Sequence, residues 1–395
     1  MKKLLMAASA TALVAGAAVA QDAAAPKVGI LLGFTGPLES IMPNMATAAE
    51  MAIAEVNAAG GVLGQQVTSE RADSTCVDAA AATAAAEALI SGGANAIMGA
   101  DCSGVTGAVL TNVAIPNGVG MISPSATSPG LSTAEDNGLF FRTAPSDARQ
   151  GEILAQVLAD RGINEVALTY TNNDYGKGLA DSFTQAFEAQ GGTVSITVPH
   201  EDGKADYSAE VASLAASGSD VLLVAGYTDQ GGRGIIQNAL DTGAFETFVL
   251  PDGMVGQDIV DALGDGLSSS FGTMPGSDSP GAARFQELAA AQDLDGTSVY
   301  TGESYDAAAL MLLAMAAAGS TSGADWTAQV ESIANAPGEQ ILPGELGRAL
   351  ELIAAGTDID YVGATAVEMV GGGDSAGAFR EVEFTDGQIE TAQFR

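Results

Sequence analysis

An α/β fold, with two mainly parallel sheets each flanked by helices, is what this 395-residue sequence predicts. Short apolar runs alternate with longer amphipathic stretches from Lys27 onward, the pattern of parallel strands joined by covering helices. The alternation comes in two successive series, so two domains are expected, and 47% apolar residues suffice for both cores. In the first series strands fall at Val28–Gly33, Gln66–Arg71, Ala96–Ala100, Gly120–Ser123 and Phe140–Thr143, with helices at Asn44–Ala58, Asp78–Ser91 and Val105–Val113. In the second, strands fall at Val166–Thr171, Thr193–Val198, Val221–Gly226, Thr247–Leu250 and Phe271–Met274. Its helices fall at Ala148–Asp160, Tyr175–Glu188, Tyr207–Ala216, Gly231–Leu240 and Gln257–Leu263. The tail breaks the rhythm. Ser304–Ala318, Ala324–Ala334 and Pro343–Ala355 read as helices, and weak strand patterns follow at Thr365–Val370 and Phe379–Phe384, on either side of a Gly-rich turn at Gly371–Asp374. Such a tail is expected to return to sheets begun earlier.

Lys and Arg number 14 against 49 Asp and Glu, a formal charge of −35. A chain this acidic repels phosphate backbones and anionic membrane surfaces, which excludes nucleic acid as a partner. The apolar fraction excludes a disordered chain. The acid surplus fits a salty habitat and says nothing about a ligand.

Residues 1–20 form a separate unit. Lys2 and Lys3 precede an apolar run, Leu4–Ala20, that ends in Ala18-Val19-Ala20, the small-residue pattern of a cleavable secretory signal peptide. The competing reading, a membrane anchor, needs a longer and more hydrophobic run, so no membrane insertion of the mature chain is expected. The bacterial periplasm is the expected destination. An oxidising compartment favours pairing the two cysteines, Cys76 and Cys102, over a catalytic thiol that would depend on the one histidine, His200.

Catalytic signatures are sparse. A zinc enzyme needs several His or Cys ligands, and a Ser-His-Asp hydrolase needs His200 as base plus a nucleophile elbow of the form Gly-x-Ser-x-Gly, a run expected to be absent; neither enzyme is expected. No Walker-type phosphate loop is present, and no Gly-x-Gly-x-x-Gly follows the first strand. The expectation is a protein with no metal, no cofactor and no catalysis.

Several segments point in one direction. They are Gly33-Phe34-Thr35-Gly36-Pro37, the run Ile53 to Val62, Asp101-Cys102-Ser103 and the run Met121 to Pro129, followed by the run Asn173 to Gly178, Ala225-Gly226-Tyr227 and Pro251-Asp252-Gly253. In order and spacing the chain resembles the type I periplasmic binding proteins of ABC importers, specifically the branched-chain amino-acid (Leu/Ile/Val) family, from about Lys27 to Phe384. The resemblance implies two α/β lobes joined by three chain crossings, with residues 27–143 and 276–377 in the first lobe and 144–275 and 378–395 in the second. It also implies a disulfide between Cys76 and Cys102 beside the ligand, and closure of the lobes around a guest by hinge motion.

The resemblance assigns roles to particular residues. Ser103, which also reads as a plain helix cap, would offer its hydroxyl to the guest's carboxylate. Ser125, Ala126 and Thr127 lie in a Pro-flanked turn whose backbone carbonyl would receive the ammonium while Thr127 grips the carboxylate; the same hydroxyls also suit an ordinary turn. Asp252 would pair with the ammonium from the second lobe. Tyr175 and Tyr227 would wall the pocket, or else be buried core tyrosines. Where the family commonly places an aromatic residue near the cleft mouth, this chain has Ile41 or Met42, which leaves its side-chain preference open. The expected role is capture of a small amino acid by a monomeric protein that hands it to ABC permease subunits. The alternatives are another small solute (an amide, an aromatic acid or another carboxylate), a ligand sensor of the same fold, or an enzyme that uses the cleft.

Overall fold

Strands β1 (Lys27–Leu32), β2 (Thr68–Asp73), β3 (Ala96–Gly99), β4 (Gly120–Ser123) and β5 (Phe140–Arg142) pair in the order β2-β1-β3-β4-β5, all parallel. The structure, a computed structural model, describes residues 25–395; the predicted signal peptide lies outside the described residues. The inner strands β3 and β4 are buried at every position, covered by helices such as Thr301–Ala318 and Gly323–Thr327. That coverage is why they read as unbroken apolar runs.

The second sheet contains β6 (Glu165–Thr171), β7 (Thr193–His200), β8 (Val221–Ala225), β9 (Thr247–Leu250) and β10 (Phe271–Pro275). The tail forms β11 (Glu339–Ile341), β12 (Ile359–Tyr361), β13 (Met369–Gly371), β14 (Asp374–Ser375), β15 (Phe379–Thr385) and β16 (Gln388–Phe394). The order is β16-β15-β10-β9-β8-β6-β7, with the last five parallel and β15 antiparallel to both β10 and β16. β11–β12 and β13–β14 make two small separate sheets. The predicted two-lobed α/β architecture is therefore present.

Three strands of chain pass between the lobes and are tied to one another. Thr143 Oγ1 donates to the Glu303 carbonyl (2.8 Å), Ser375 Oγ donates to the Thr143 carbonyl (2.9 Å), and Gly276 N–H donates to Ala378 O (3.0 Å). The helix Thr301–Ala318 is buried along most of its length and packs against Met42–Ala58, so it shows no polar face. Among the described residues no single helix is long and apolar enough to cross a membrane.

Three tail expectations need correction. Residues 363–366 form a turn, so the strand predicted at Thr365–Val370 is only β13. The Asp306 carboxylate accepts Ala364 N–H (2.7 Å), Thr365 N–H (2.9 Å) and Thr365 Oγ1–H (2.7 Å), and this folds the segment back. The helix predicted at Ala324–Ala334 is split into Gly323–Thr327 and Val330–Ala334 by a tight turn in which Gln329 N–H reaches Trp326 O (3.0 Å). The third predicted tail helix is shorter, Leu346–Ala354. The helix Pro280–Ala290 and strand β16 are additions.

Candidate functional site

The first lobe contributes the turn after β4. Ser123 Oγ donates to Ala100 O (2.6 Å) and accepts Ala126 N–H (2.9 Å), while Ser125 Oγ donates to Asp101 O (3.0 Å). Ser103 is the first residue of the helix Ser103–Val109, and its hydroxyl accepts Ser128 N–H (3.0 Å) instead of capping its own helix. Fully buried Arg142 braces the turn, donating from Nη1 to Ala126 O (3.1 Å) and Ser128 O (2.9 Å) and pairing through Nε with Asp374 (2.8 Å). The Thr127 carbonyl accepts Asp147 N–H (2.8 Å), but the buried Thr127 hydroxyl has no partner. The turn is thus rigid before any guest arrives, with one hydroxyl to spare.

The second lobe contributes residues at the C-terminal ends of its parallel strands, where open α/β sheets place their ligands. Tyr175 lies in the first turn of the helix Asp174–Ala189 after β6, Tyr227 follows β8, and Asp252 follows β9. The two tyrosine rings stack with centroids 5.3 Å apart. Tyr175 O–H donates to Asp252 Oδ1 (2.8 Å), which also accepts Gly253 N–H (2.7 Å), and Tyr227 O accepts from Asn173 Nδ2 (3.2 Å). Asp252 Oδ2 is buried without a partner.

Sequence reasoning missed Asp147. It is the first residue of the helix Asp147–Asp160, fully buried, and neither carboxylate oxygen has a hydrogen-bond partner. Burial first, then the charge of Asp252, pushes its carboxyl well above the usual range; the nearby Thr127 hydroxyl and Arg142 guanidinium oppose the shift without cancelling it. Burial likewise raises Asp252, against the pull of the Tyr300 and Tyr175 hydroxyls. Tyr300, held at φ 59° just before the helix Thr301–Ala318, was also missed, as was Gln150, whose amide oxygen is buried without a partner. In the sequence an Asp behind Ser146 looks like any first-turn acid. Two buried carboxylates cannot both stay charged in a dry site unless a cation shares them. The arrangement can therefore hold a proton or accept a hydrogen-bond-donating cation, with the Thr127 hydroxyl nearby.

Outside this pair lies an interlobe cleft of about 470 Å³, lined by Cys76, Val77 and Gly104 on one side and by Thr171, Asp202 and Tyr227 on the other. Cys76 and Cys102 are bonded, which leaves neither as a nucleophile. His200 is buried with Nδ1 against Thr169 Oγ1 (2.9 Å), and burial pushes its pKa down to about 4. The expectation of no Gly-x-Ser-x-Gly run needs correction, because residues 373–377 read Gly-Asp-Ser-Ala-Gly. Ser375 lies in the two-stranded β13–β14 sheet and donates its hydroxyl to Thr143 O (2.9 Å), so it is no strand-to-helix elbow. Ile41 and Met42 are both buried, and Ile41 reaches a second interlobe cavity beside Val255 and Gly256.

Two α/β lobes whose polar groups converge between them, at the ends of their strands, define a two-lobed solute-binding protein. The chain belongs to the periplasmic binding protein family, whose sequence profile matches residues 25–349, and members of this family are solute-binding proteins. It is 33% identical over 235 residues to Leu/Ile/Val-binding protein homolog 3 of Brucella melitensis, covering 56% of this chain and 60% of the relative. It is 29% identical over 250 residues to the leucine-, isoleucine-, valine-, threonine- and alanine-binding protein of Pseudomonas aeruginosa, covering 63% of this chain. These matches span 60% and 66% of the respective relatives' lengths. A longer match, 27% identical over 93% of this chain and 88% of the relative, is to the chemotactic signal transduction system substrate-binding protein BasB of Halobacterium salinarum. Among solved structures, a leucine binding protein of Thermotoga maritima aligns with TM-score 0.76 at 20% identity, covering 93% of this chain and 98% of that one. The branched-chain substrate-binding protein LivJ of Streptococcus pneumoniae with isoleucine gives 0.77 at 22%, covering 94% and 99%. A solute-binding protein of R. palustris with benzoate gives 0.74 at 18%, covering 94% and 96%. At these identities the structural matches establish the fold.

Proposed function

We propose that this chain is the periplasmic substrate-binding protein of an ABC importer. It captures a small amino acid, branched-chain type favoured, between a lobe of residues 27–143 and 276–377 and a lobe of residues 144–275 and 378–395. The observation that carries the reading is the buried Asp147–Asp252 pair, with three carboxylate oxygens lacking partners and the unpartnered Thr127 hydroxyl beside it. The guest's ammonium sits between the two carboxylates; its carboxylate meets Thr127 and Ser103, next to the Ser125–Ala126 backbone; Tyr175 and Tyr227 wall its flank. The ends of a zwitterion are costly to desolvate unless each is fully paired, so the guest draws the lobes together. Closure changes shape without chemistry, and the closed form is what the permease subunits recognise. Export by the N-terminal signal peptide delivers the chain to that permease as a monomer without a cofactor.

An aromatic carboxylate such as benzoate is disfavoured, since it brings a second anion and no cation to two buried acids. A sensing role draws support from the chemotactic name of the Halobacterium relative, and it uses the same capture chemistry. Reconstitution with the permease and its ATPase separates the roles, because only the transport component stimulates ATP hydrolysis.

The first test is a thermal-shift and calorimetric screen of the mature protein against L-leucine, L-isoleucine, L-valine, L-alanine, L-threonine and benzoate. An amino acid at one hundred times its Kd should stabilise the fold by about 2.7 kcal/mol. Asp252→Asn should weaken that binding by about 2 to 5 kcal/mol. Stabilisation by benzoate alone, or unchanged affinity in the variant, would remove the amino-acid reading.

A further inference from the structure

We propose that Asp229 is a positioning residue that clasps the two lobes shut without touching the guest. It lies two residues beyond Tyr227, just before the helix Gly231–Thr242, and three of its polar groups are engaged in three directions. Its carboxylate oxygen Oδ2 accepts the backbone N–H of Ser40 (3.0 Å), its own N–H donates to the Pro37 carbonyl (3.1 Å), and its carbonyl accepts Arg233 Nη2 (2.8 Å). The first two bonds cross from the second lobe to the first; the third anchors Asp229 in its own lobe.

The receiving loop is fixed on the far side. Thr35 donates its N–H (3.3 Å) and its hydroxyl (2.6 Å) to the Asp73 carboxylate, and Ile41 N–H returns to Leu38 O (3.2 Å). Two bonds between two anchored backbones define one relative position of the lobes. When the lobes part, water replaces both bonds, so the clasp favours closure by a modest net amount that does not depend on the guest. A binding protein whose competent state is partly populated has its apparent Kd divided by that fraction, so the clasp raises affinity equally for every guest. Asp252 acts differently: it contributes through the ammonium it would hold.

The inference rests on the hinge-closure reading above, and its test uses the ligand-free protein. The only two cysteines are bonded to each other, so spin labels attach only at introduced sites, Glu87→Cys on the first lobe and Glu188→Cys on the second. Pulsed dipolar distances then report the closed fraction. Asp229→Ala should lower the closed population by about tenfold. Asp229→Asn, whose amide oxygen still accepts from Ser40, should restore it. Identical distance distributions in the three proteins would overturn the clasp. A chain that captured no amino acid would still show the difference, so a failed clasp and a failed solute reading remain separate results.

Discussion

Burial raises the proton affinity of both Asp147 and Asp252, and the charge of Asp252 raises Asp147 further, so the pair holds a proton at a pH where ordinary carboxylates have lost theirs. An ammonium binds the ionised form. Affinity for an amino acid should therefore fall as pH drops through these raised values and recover above them, with protons released on binding. Calorimetry in buffers of different ionisation enthalpy counts those protons; an affinity that is flat from acid to neutral pH would exclude the shared-cation site. Asp147→Asn should cost about 2 to 5 kcal/mol of binding and remove part of the pH dependence. Glu303, buried where the three crossings meet, titrates for a different reason. Burial raises its pKa from 4.5 to about 7, opposed by its own N–H and by the Arg380 charge, while Asp306 and Asp252 add to the rise. Its ionised form is disfavoured in the fold, so its contribution to stability is fullest below its unfolded pKa and is lost as pH rises through about 7. Scanning calorimetry between pH 5 and 8 should show a flatter profile for Glu303→Gln. Neither Asp147 nor Glu303 stands out in the sequence, because a buried acid and a surface acid look identical among 49 of them.

Elements meet across the cleft at positions without room for a side chain. The helix Asp174–Ala189 passes the Ser128–Pro129 turn so closely that a Cβ on Gly178 would lie 2.8 Å from Pro129 Cδ. Gly178→Ala should therefore weaken guest binding in calorimetry, because the closed form must shift to admit the methyl group. The thermal midpoint of the ligand-free protein should hold or rise, since Ala gains about 1 kcal/mol over Gly inside a helix. A fall in that midpoint would place the damage within the lobe. At this scale the sequence was most legible where periodicity is strong, as in β4 and β9, whose predicted bounds match the structure. It was least legible at Thr365–Val370, an apolar run that looks like a strand until Asp306, some sixty residues earlier, gathers its backbone N–H groups into a turn.

The whole molecule carries a formal charge of −35. Self-repulsion of this size opposes the compact state, and salt screens it over about 10 Å at 0.1 M. The thermal midpoint should rise as sodium chloride increases from low concentration to 1 M; a fall would show that the surface ion pairs outweigh the repulsion. The alternation of strand and helix, the Cys76–Cys102 pair and the ordered motifs of the family could all be read along the chain, because each is a short-range pattern or a sequence of such patterns. Tertiary structure alone decided that Asp147 and Asp252 share one buried site and that Asp229 reaches Ser40. The physical reason is that these groups are far apart in sequence. Whether they meet depends on where the chain crosses between the lobes, and no local propensity encodes that.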